Sequence, residues 1–464
     1  MLTYSMEERG SLSLYEHLYR CIRRDILSGA LKQGERLPSK RQLAEHLSVS
    51  VITVEGAYRQ LEAEGYVSAQ PRRGYFVLPV TRLVQSPEAA PEVLPPAPAE
   101  PRWTLDLKSN RVSTAHFPVA TWAKLTRQVL SEDREALLRP LPHQGLPELR
   151  QALADSLWQE KGMAVSPDQI VVGAGAEYLY LLLAQLLGRD VPFAVEDPGY
   201  PKIRRVYQAC GVPCVPVPLD PQGVDPAALS QSGAAVLHLS PSHQYPTGLV
   251  TPIGRRQELL RWAEDAGGVI IEDDYNSEFR FAGRPIPPLQ RIDAAGRVIY
   301  LNTFSQTISP AMRLSFLVLP PRLLEQYQET LGFYASTVPA LEQHVLARFL
   351  SQGYFEQHLA RMRKAYRLRR QQVLDAFRES PFAQRITLLE QPAGLHFLLH
   401  LETKQSDESL RQRAESLGVR LSFLSEYAAC PRPDFSHTLV VNYAGLEPEA
   451  LADALPLLDQ IFAP

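Results

Sequence analysis

Apolar positions recur with helical spacing along the first 80 residues. Leu14, Leu18, Cys21, Ile22 and Ile26 hold one face until Gly29, and Ser13 with Glu16 predicts a capping box at the start. Ser39 with Gln42 predicts a second, short helix closing near Leu47. Ser50 opens a third, in which Val54, Ala57, Tyr58 and Leu61 fall at i, i+3, i+4 and i+7 before Gly65 ends the run. "YVSAQPRRGYFVLP" then predicts strand, turn and strand, with Pro71-Arg72-Arg73-Gly74 at the tip. Beyond residue 100 the period changes. Six short β-rich runs, "QIVVGAG", "PFAVED", "AAVLHLSP", "GVIIEDDY", "RVIYLNTFS" and "LSFLVLP", alternate with amphipathic stretches. Continuous apolar runs of this length predict an α/β fold whose largely parallel sheet is buried on both faces.

Between the two patterns lies "TRLVQSPEAAPEVLPPAPAEPR", with six prolines in 22 residues. So few amide donors and no helical period predict an extended, semi-rigid linker over 81–103. The chain is therefore read as a head at 1–80 and a body at 104–464, with a smaller subdomain from about 360. At 464 residues, 45% hydrophobic and 21% charged, it has the composition of a soluble protein of two or three domains. No apolar run is long enough to span a membrane, and MLTYSMEERG has no signal-peptide core, so a cytoplasmic location is expected. The four cysteines are scattered, and Cys210 with Cys214 lacks a second pair, so no metal site is expected.

The overall charge of −3 argues against nucleic acid, but its distribution does not. Residues 1–80 carry net +2 and the remainder net −5; within 20–41, seven basic residues face two acidic ones. Helix, short helix, turn, helix and ribbon is the order of a winged helix-turn-helix. The residues alone also accommodate a small helical interaction domain with a solvated basic edge. The stretch "GERLPSKRQLAEHLSVSVITVEGAYRQLEAEGYV … RRGYFV" resembles the GntR-type DNA-binding head along nearly its whole length. That resemblance implies phosphate contacts from Ser39 and Arg41, and a first turn of the third helix (Ser50, Val51, Thr53) facing the major groove. It makes Arg72, Arg73 and Gly74 the wing. Many such heads carry an arginine where this one has Val51, so base readout is expected to be apolar there or to shift to Glu55 or Arg59.

In the body the chemistry-bearing residues sit at predicted strand ends, where ligands gather in parallel sheets. "GAGAEYLYLLLAQLL" is a glycine-rich turn entering a helix, suited to cradling a phosphate. "VEDPGY" places Tyr200 for stacking, Asp273 and Tyr275 share a face of an extended chain, and "TFSQTISPAMR" supplies Thr303, Ser305 and Arg313. Taken together and in order, these resemble the fold-type-I aminotransferases, which depend on pyridoxal phosphate. With the head, the whole chain resembles the MocR family of regulators.

The resemblance implies that Asp273 pairs with the cofactor's pyridine nitrogen, Tyr275 with its ring hydroxyl, and that Tyr200 stacks. Arg313, Thr303, Ser305 and the amides of Gly175 and Ala176 would grip the phosphate. The chain departs from the enzymes at four places. Gln306 replaces the cofactor-bonding lysine, and the neighbouring lysines along the chain are Lys202 and Lys364. Val440 stands where an arginine receives the substrate carboxylate, and Tyr245 replaces an asparagine. Glu177 replaces a glutamine, which predicts an unfavourable charge beside the phosphate unless it is protonated or turned away.

An amide is neither nucleophilic nor basic near neutral pH, so Gln306 predicts no transamination and at most non-covalent binding of pyridoxal phosphate or an adduct. The expected protein is a homodimeric regulator of double-stranded DNA, responding to an amine, an amino acid or a B6 vitamer. An aminotransferase with an appended head, and a DNA-binding protein with a ligand-free body, are the competing readings.

Overall fold

Polar caps delimit the N-terminal helices, though not everywhere the sequence places them. The structure, a computed structural model, describes residues 2–80, 102–109, 112–132, 134–281, 283, 286–390, 393–430 and 432–463. It divides into two compact units, Met1–Glu100 and Pro101–Pro464. Apart from residues 102 and 103, the segment read as a linker lies outside the described residues.

The first unit holds α1 (Leu14–Ser28), α2 (Lys40–His46), α3 (Val51–Ala63) and the antiparallel ribbon of β1 (Val67–Gln70) and β2 (Gly74–Val77). Ser39 and Gln42 form the reciprocal capping box of α2, and the Ser50 hydroxyl accepts the Thr53 amide at 3.1 Å to cap α3. The box expected at Ser13 does not form. Ser13 makes no side-chain cap bond, and Glu16 is held instead by Arg20, one turn along, at 2.8 Å. Leu18, Ile22, Leu43, Val54, Tyr58 and Leu61 close a small core with no exposed surface on any of them. At the ribbon tip the Arg73 amide donates to the Gln70 carbonyl at 3.0 Å with Arg72 at φ 63°, a type II turn with Pro71 in its preferred place. The unit is a winged helix-turn-helix.

The second unit begins with β3 (Leu105–Asp106) and is built on an eight-stranded sheet. Its strands are β4 (Ile170–Gly173), β5 (Phe193–Asp197), β6 (Cys214–Asp220), β7 (Gly223–Val224), β8 (Val236–Leu239), β9 (Val269–Asp273), β10 (Val298–Thr303) and β11 (Ser315–Val318). Their order is β4-β11-β10-β9-β8-β5-β6-β7, with β11 and β7 antiparallel to their neighbours and the remaining pairs parallel. All six apolar runs are strands of this sheet. The sequence reading missed β6, whose Pro216 and Pro218 argue against a strand. They are tolerated because β7 pairs only with Leu219 and Asp220, leaving the prolines on an open outer edge. A smaller antiparallel sheet, β12 (Ile386–Leu389), β13 (His396–Leu401) and β15 (Thr438–Asn442), packs its apolar side with the helices Tyr354–Arg378 and Pro448–Phe462. Between β13 and β15 in sequence, β14 (Val419–Arg420) pairs in parallel with β3 and so brings residues 105–108 to this C-terminal part.

One buried ion cluster ties the large sheet to the helix Pro147–Lys161. The Lys161 ammonium, at the helix end, donates to Asp274 Oδ2 at 2.6 Å and Glu278 Oε1 at 3.2 Å. Tyr300 of β10 adds a 2.6 Å bond to the same Asp274 oxygen. Burial opposes the Asp274 charge, but Lys161 outweighs it and holds the carboxyl below its ordinary range. Burial likewise opposes the ammonium, which the two carboxylates drive well above its ordinary value. Removing one partner strands the other charges in the interior. Lys161→Met is expected to destabilise the protein by roughly 3–5 kcal/mol. Because the Asp274 carboxyl is depressed only when Lys161 is present, the deficit should be largest at neutral pH and narrow as pH falls below about 4. Denaturant unfolding of both proteins at pH 7 and pH 3 checks this.

Candidate functional site

The strand ends of β9 and β10, the turn entering the helix Ala176–Leu187, and the loop after β5 enclose a cavity of about 680 Å³. Of the residues singled out in the body, Ala176, Tyr200, Asp273, Tyr275, Thr303, Ser305, Gln306 and Arg313 line it, from four separate stretches of chain. Gly175 lies directly behind, as the N-cap of that helix.

At the floor, Asp273 is 4% exposed. Its Oδ2 accepts from the Tyr180 hydroxyl at 2.5 Å and lies 3.3 Å from His238 Nε2. His238 Nδ1 in turn meets the Tyr207 hydroxyl at 2.8 Å, which fixes the ring with its other nitrogen toward the carboxylate. Oδ1 of Asp273 is buried with no hydrogen-bond partner among the described residues. A buried carboxylate oxygen facing a cavity without a donor is a ready acceptor for a ligand N–H. Tyr275 approaches His243 Nδ1 at 3.3 Å, and Tyr200, 41% exposed, meets Tyr245 edge-on at 5.8 Å.

At the other end is a set of anion-binding groups. Gly175 adopts φ 90°, and a Cβ there would lie 2.1 Å from Arg313 Nη2, so only glycine lets the guanidinium cross the helix start. Its amide does not serve as expected, because it already donates to the Gly173 carbonyl at 2.9 Å. Thr303 Oγ1 lies 2.8 Å from Ser305 Oγ and accepts from Ser315 at 2.9 Å. Glu177 keeps the charge that the sequence reading set beside the phosphate. It is neither protonated nor turned away; Arg313 donates to Oε2 at 2.5 Å and Lys202 to Oε1 at 2.9 Å. Partial burial would raise its pKa, but these bonds prevail and hold it at about 2.

Sequence reasoning missed Tyr180, His238, Lys108 and Tyr427. Tyr180 follows Ala176 by one helical turn, and His238 is the one polar residue in "VLHL", so both carried a signal. Lys108 and Tyr427 carried none, since pairing of β3 with β14 brings them in from distant sequence. Lys108 is ion-paired with Glu426 at 2.6 Å. Val440 is fully buried beside Tyr245, Leu398, Leu424 and Phe435, so the position read as the carboxylate site is sealed by apolar side chains.

In the head, Ser39, Arg41, Ser50, Val51, Arg72 and Arg73 are exposed, while Thr53 and Gly74 are half-buried. They lie at the starts of α2 and α3 and on the ribbon tip. Glu55 and Arg59, the alternative base readers, are bonded to each other at 3.1 Å, with Lys40 on the same Glu55 oxygen at 3.1 Å. The residue the sequence reading passed over is Ile52, 80% exposed on the first turn of α3.

Residues 104–455 match the family model described as aminotransferase class I and II, and residues 14–77 match that of the bacterial regulatory proteins of the gntR family. The chain is 34% identical to the uncharacterized HTH-type transcriptional regulator YdeL of Bacillus subtilis, covering 96% of each. It is 30% identical to the probable rhizopine catabolism regulatory protein MocR of Rhizobium meliloti, over 98% of this chain and 95% of that one. It is 35% identical to the pyridoxine biosynthesis regulator PdxR of Corynebacterium glutamicum, over 89% of each. The chain belongs to the MocR family of transcriptional regulators. The fold of this MocR-type body is also that of the multiple substrate aminotransferase of Thermococcus profundus (TM-score 0.68, 23% identity, 77% of this chain and 91% of that one). LysN of Thermus thermophilus, solved with N-(5'-phosphopyridoxyl)-L-leucine, aligns at TM-score 0.67 and 26% identity, over 77% of this chain and 92% of that one.

Two buried histidines flank this MocR-type cavity, His243 and His396, with ring centroids 4.7 Å apart. Burial holds His396 at about 4 and His243 well below its ordinary value. Both fold as neutral rings, so the stability they contribute is present above pH 6.5 and lost as pH falls toward 4. Removing the His396 share, by His396→Gln, should abolish about 3 kcal/mol of this acid sensitivity. Unfolding free energies of both proteins across pH 4–7 measure it.

Proposed function

We propose that the protein is a DNA-binding regulator whose body senses a B6-type ligand without turning it over. The observation that carries this is the pairing of a retained cofactor floor with a missing amine: Asp273 presents a partnerless Oδ1, while the turn between Thr303 and Arg313 offers Gln306. The residues present suit pyridoxal phosphate, or a phosphopyridoxyl adduct like that in the LysN structure. Asp273 would receive the ring N–H, Tyr200 would stack and Tyr275 would face the ring hydroxyl. Ala176, Thr303, Ser305 and Arg313 would hold the phosphate, Gly175 giving them room.

Bound there, the cofactor would supply an electron sink. At position 306 this chain places no amine to exploit it. Gln306 can donate and accept hydrogen bonds but cannot bond the cofactor covalently or carry a proton between its carbon atoms, and loss of a general base alone costs about 10²–10⁴-fold. The two amines on the cavity wall, Lys108 and Lys202, are each engaged by a carboxylate. Hydrogen bonding to Glu177 raises the Lys202 pKa, which disfavours a neutral, nucleophilic amine. Binding therefore changes shape rather than substrate. An amine, amino acid or B6 vitamer is the effector class, the functional units are 1–80, 81–103 and 104–464 with a smaller part from about 360, and the working form is a cytoplasmic homodimer. One head alone reads too short a site for good specificity.

Borohydride should leave the unaltered protein unlabelled after incubation with pyridoxal phosphate. Gln306→Lys should become labelled at residue 306, which peptide mapping detects; an intact but unlabelled variant would mean that the cavity does not hold the cofactor. For the head, Arg41→Ala or Arg73→Ala is expected to weaken duplex binding across sequences and to reduce the salt slope by roughly one unit per lost contact. Fluorescence anisotropy over a salt series reads this, and salt-independent binding would rule the interface out.

A further inference from the structure

Glu177 is the second residue of the helix Ala176–Leu187 and occupies the anion cup itself. One carboxylate oxygen takes the Arg313 guanidinium at 2.5 Å and the other takes the Lys202 ammonium at 2.9 Å. The positive end of the helix favours a negative charge in its first turn. Arg313, Lys202 and the positive helix end, which would all attract a ligand phosphate, thus already serve a side chain of the protein. Arg313 has little freedom to turn elsewhere, being wedged against Gly175 and also donating to the Ala174 carbonyl at 3.3 Å.

We propose that Glu177 is a resident stand-in for the phosphate, which a phosphorylated ligand must displace from Arg313 before it can seat. The inference rests on the cofactor reading above and adds what that reading does not contain: a charge-selective latch. A dianionic phosphate competes for Arg313 and Lys202 and expels the carboxylate; an unphosphorylated vitamer leaves the latch closed. Lys202 sits two residues from Tyr200, at the start of the helix Pro201–Ala209, and its ammonium lies 5.9 Å from the Tyr200 ring centroid. Release of Lys202 therefore reaches the segment that carries the stacking ring, which gives the loaded and empty states different geometry.

Glu177→Gln tests the latch because it keeps the shape and removes the charge. Pyridoxal phosphate and unphosphorylated pyridoxal are titrated into both full-length proteins, followed by cofactor absorbance and protein fluorescence. Like charges brought together at a binding site are strongly unfavourable, so the variant is expected to bind pyridoxal phosphate at least about tenfold more tightly. Inorganic phosphate alone, followed by protein fluorescence, should likewise bind the variant more tightly than the unaltered protein, while pyridoxal affinity should match between the two. Equal or weaker binding of pyridoxal phosphate by the variant overturns the latch and leaves the cofactor reading standing. An equal gain for pyridoxal also overturns it, since the effect would not lie at the phosphate. If neither protein binds pyridoxal phosphate, both readings fall.

Discussion

The ion pair between Lys161 and Asp274 is the constraint on which the cavity depends. Adjacent residues of an extended chain point to opposite sides, so Asp274 and Asp273 cannot both face the interior behind the sheet. Asp274 turns to Lys161 and Tyr300, and its amide is held by the Leu301 carbonyl at 2.9 Å. With that side chain committed, Asp273 must project into the cavity. A helix end, a strand end and the neighbouring strand β10 thereby agree on one register. The cost of burying these charges is offset only while all the partners are present.

Asp273 and Glu177 show how two carboxylates lining one cavity take different roles. Asp273 is deep, with Tyr180 and His238 on one oxygen and the other left open. Glu177 lies nearer the surface, and two cations bind both of its oxygens. The first is arranged for a ligand to complete. The second is already complete, so a ligand phosphate bound as proposed would have to compete with it. Under the proposed ligand, a cavity with one unsatisfied end and one self-satisfied end would respond to charge as well as to shape, a property suited to a sensor.

The substitutions at 306, 440 and 245 form a pattern. By the resemblance, Gln306 stands where an aminotransferase bonds its cofactor, Val440 where it receives the substrate carboxylate and Tyr245 where it has an asparagine, while Asp273, Tyr275 and Arg313 match residues that would face the cofactor. Val440 has become part of an apolar cluster with Tyr245, Leu398 and Phe435. The small antiparallel sheet thus contributes packing at that point where an enzyme would offer a cation.

The chain order alone determined a good deal. The helix stripes, the caps at Ser39 and Ser50, and the six apolar runs are local, periodic signals that tertiary context had no reason to override. The strand-end positions of Asp273 and Thr303 followed from those runs, and the expectation of no transamination came from the functional group of Gln306 alone. Ser13 was misread because a cap depends on where Glu16 turns, and Arg20 captured it. β6 was missed because a proline's fitness in a strand depends on whether its outer edge is paired. The charge of Glu177 was legible but its partners were not, since Arg313 lies 136 residues away in sequence and Lys202 on another helix. Lys108 and Tyr427 reach the cavity only through the pairing of β3 with β14. Periodicity reports which face of an element is buried, but not which distant charges meet across it; contacts of that kind are settled only when the sheet and its helices close around the cavity.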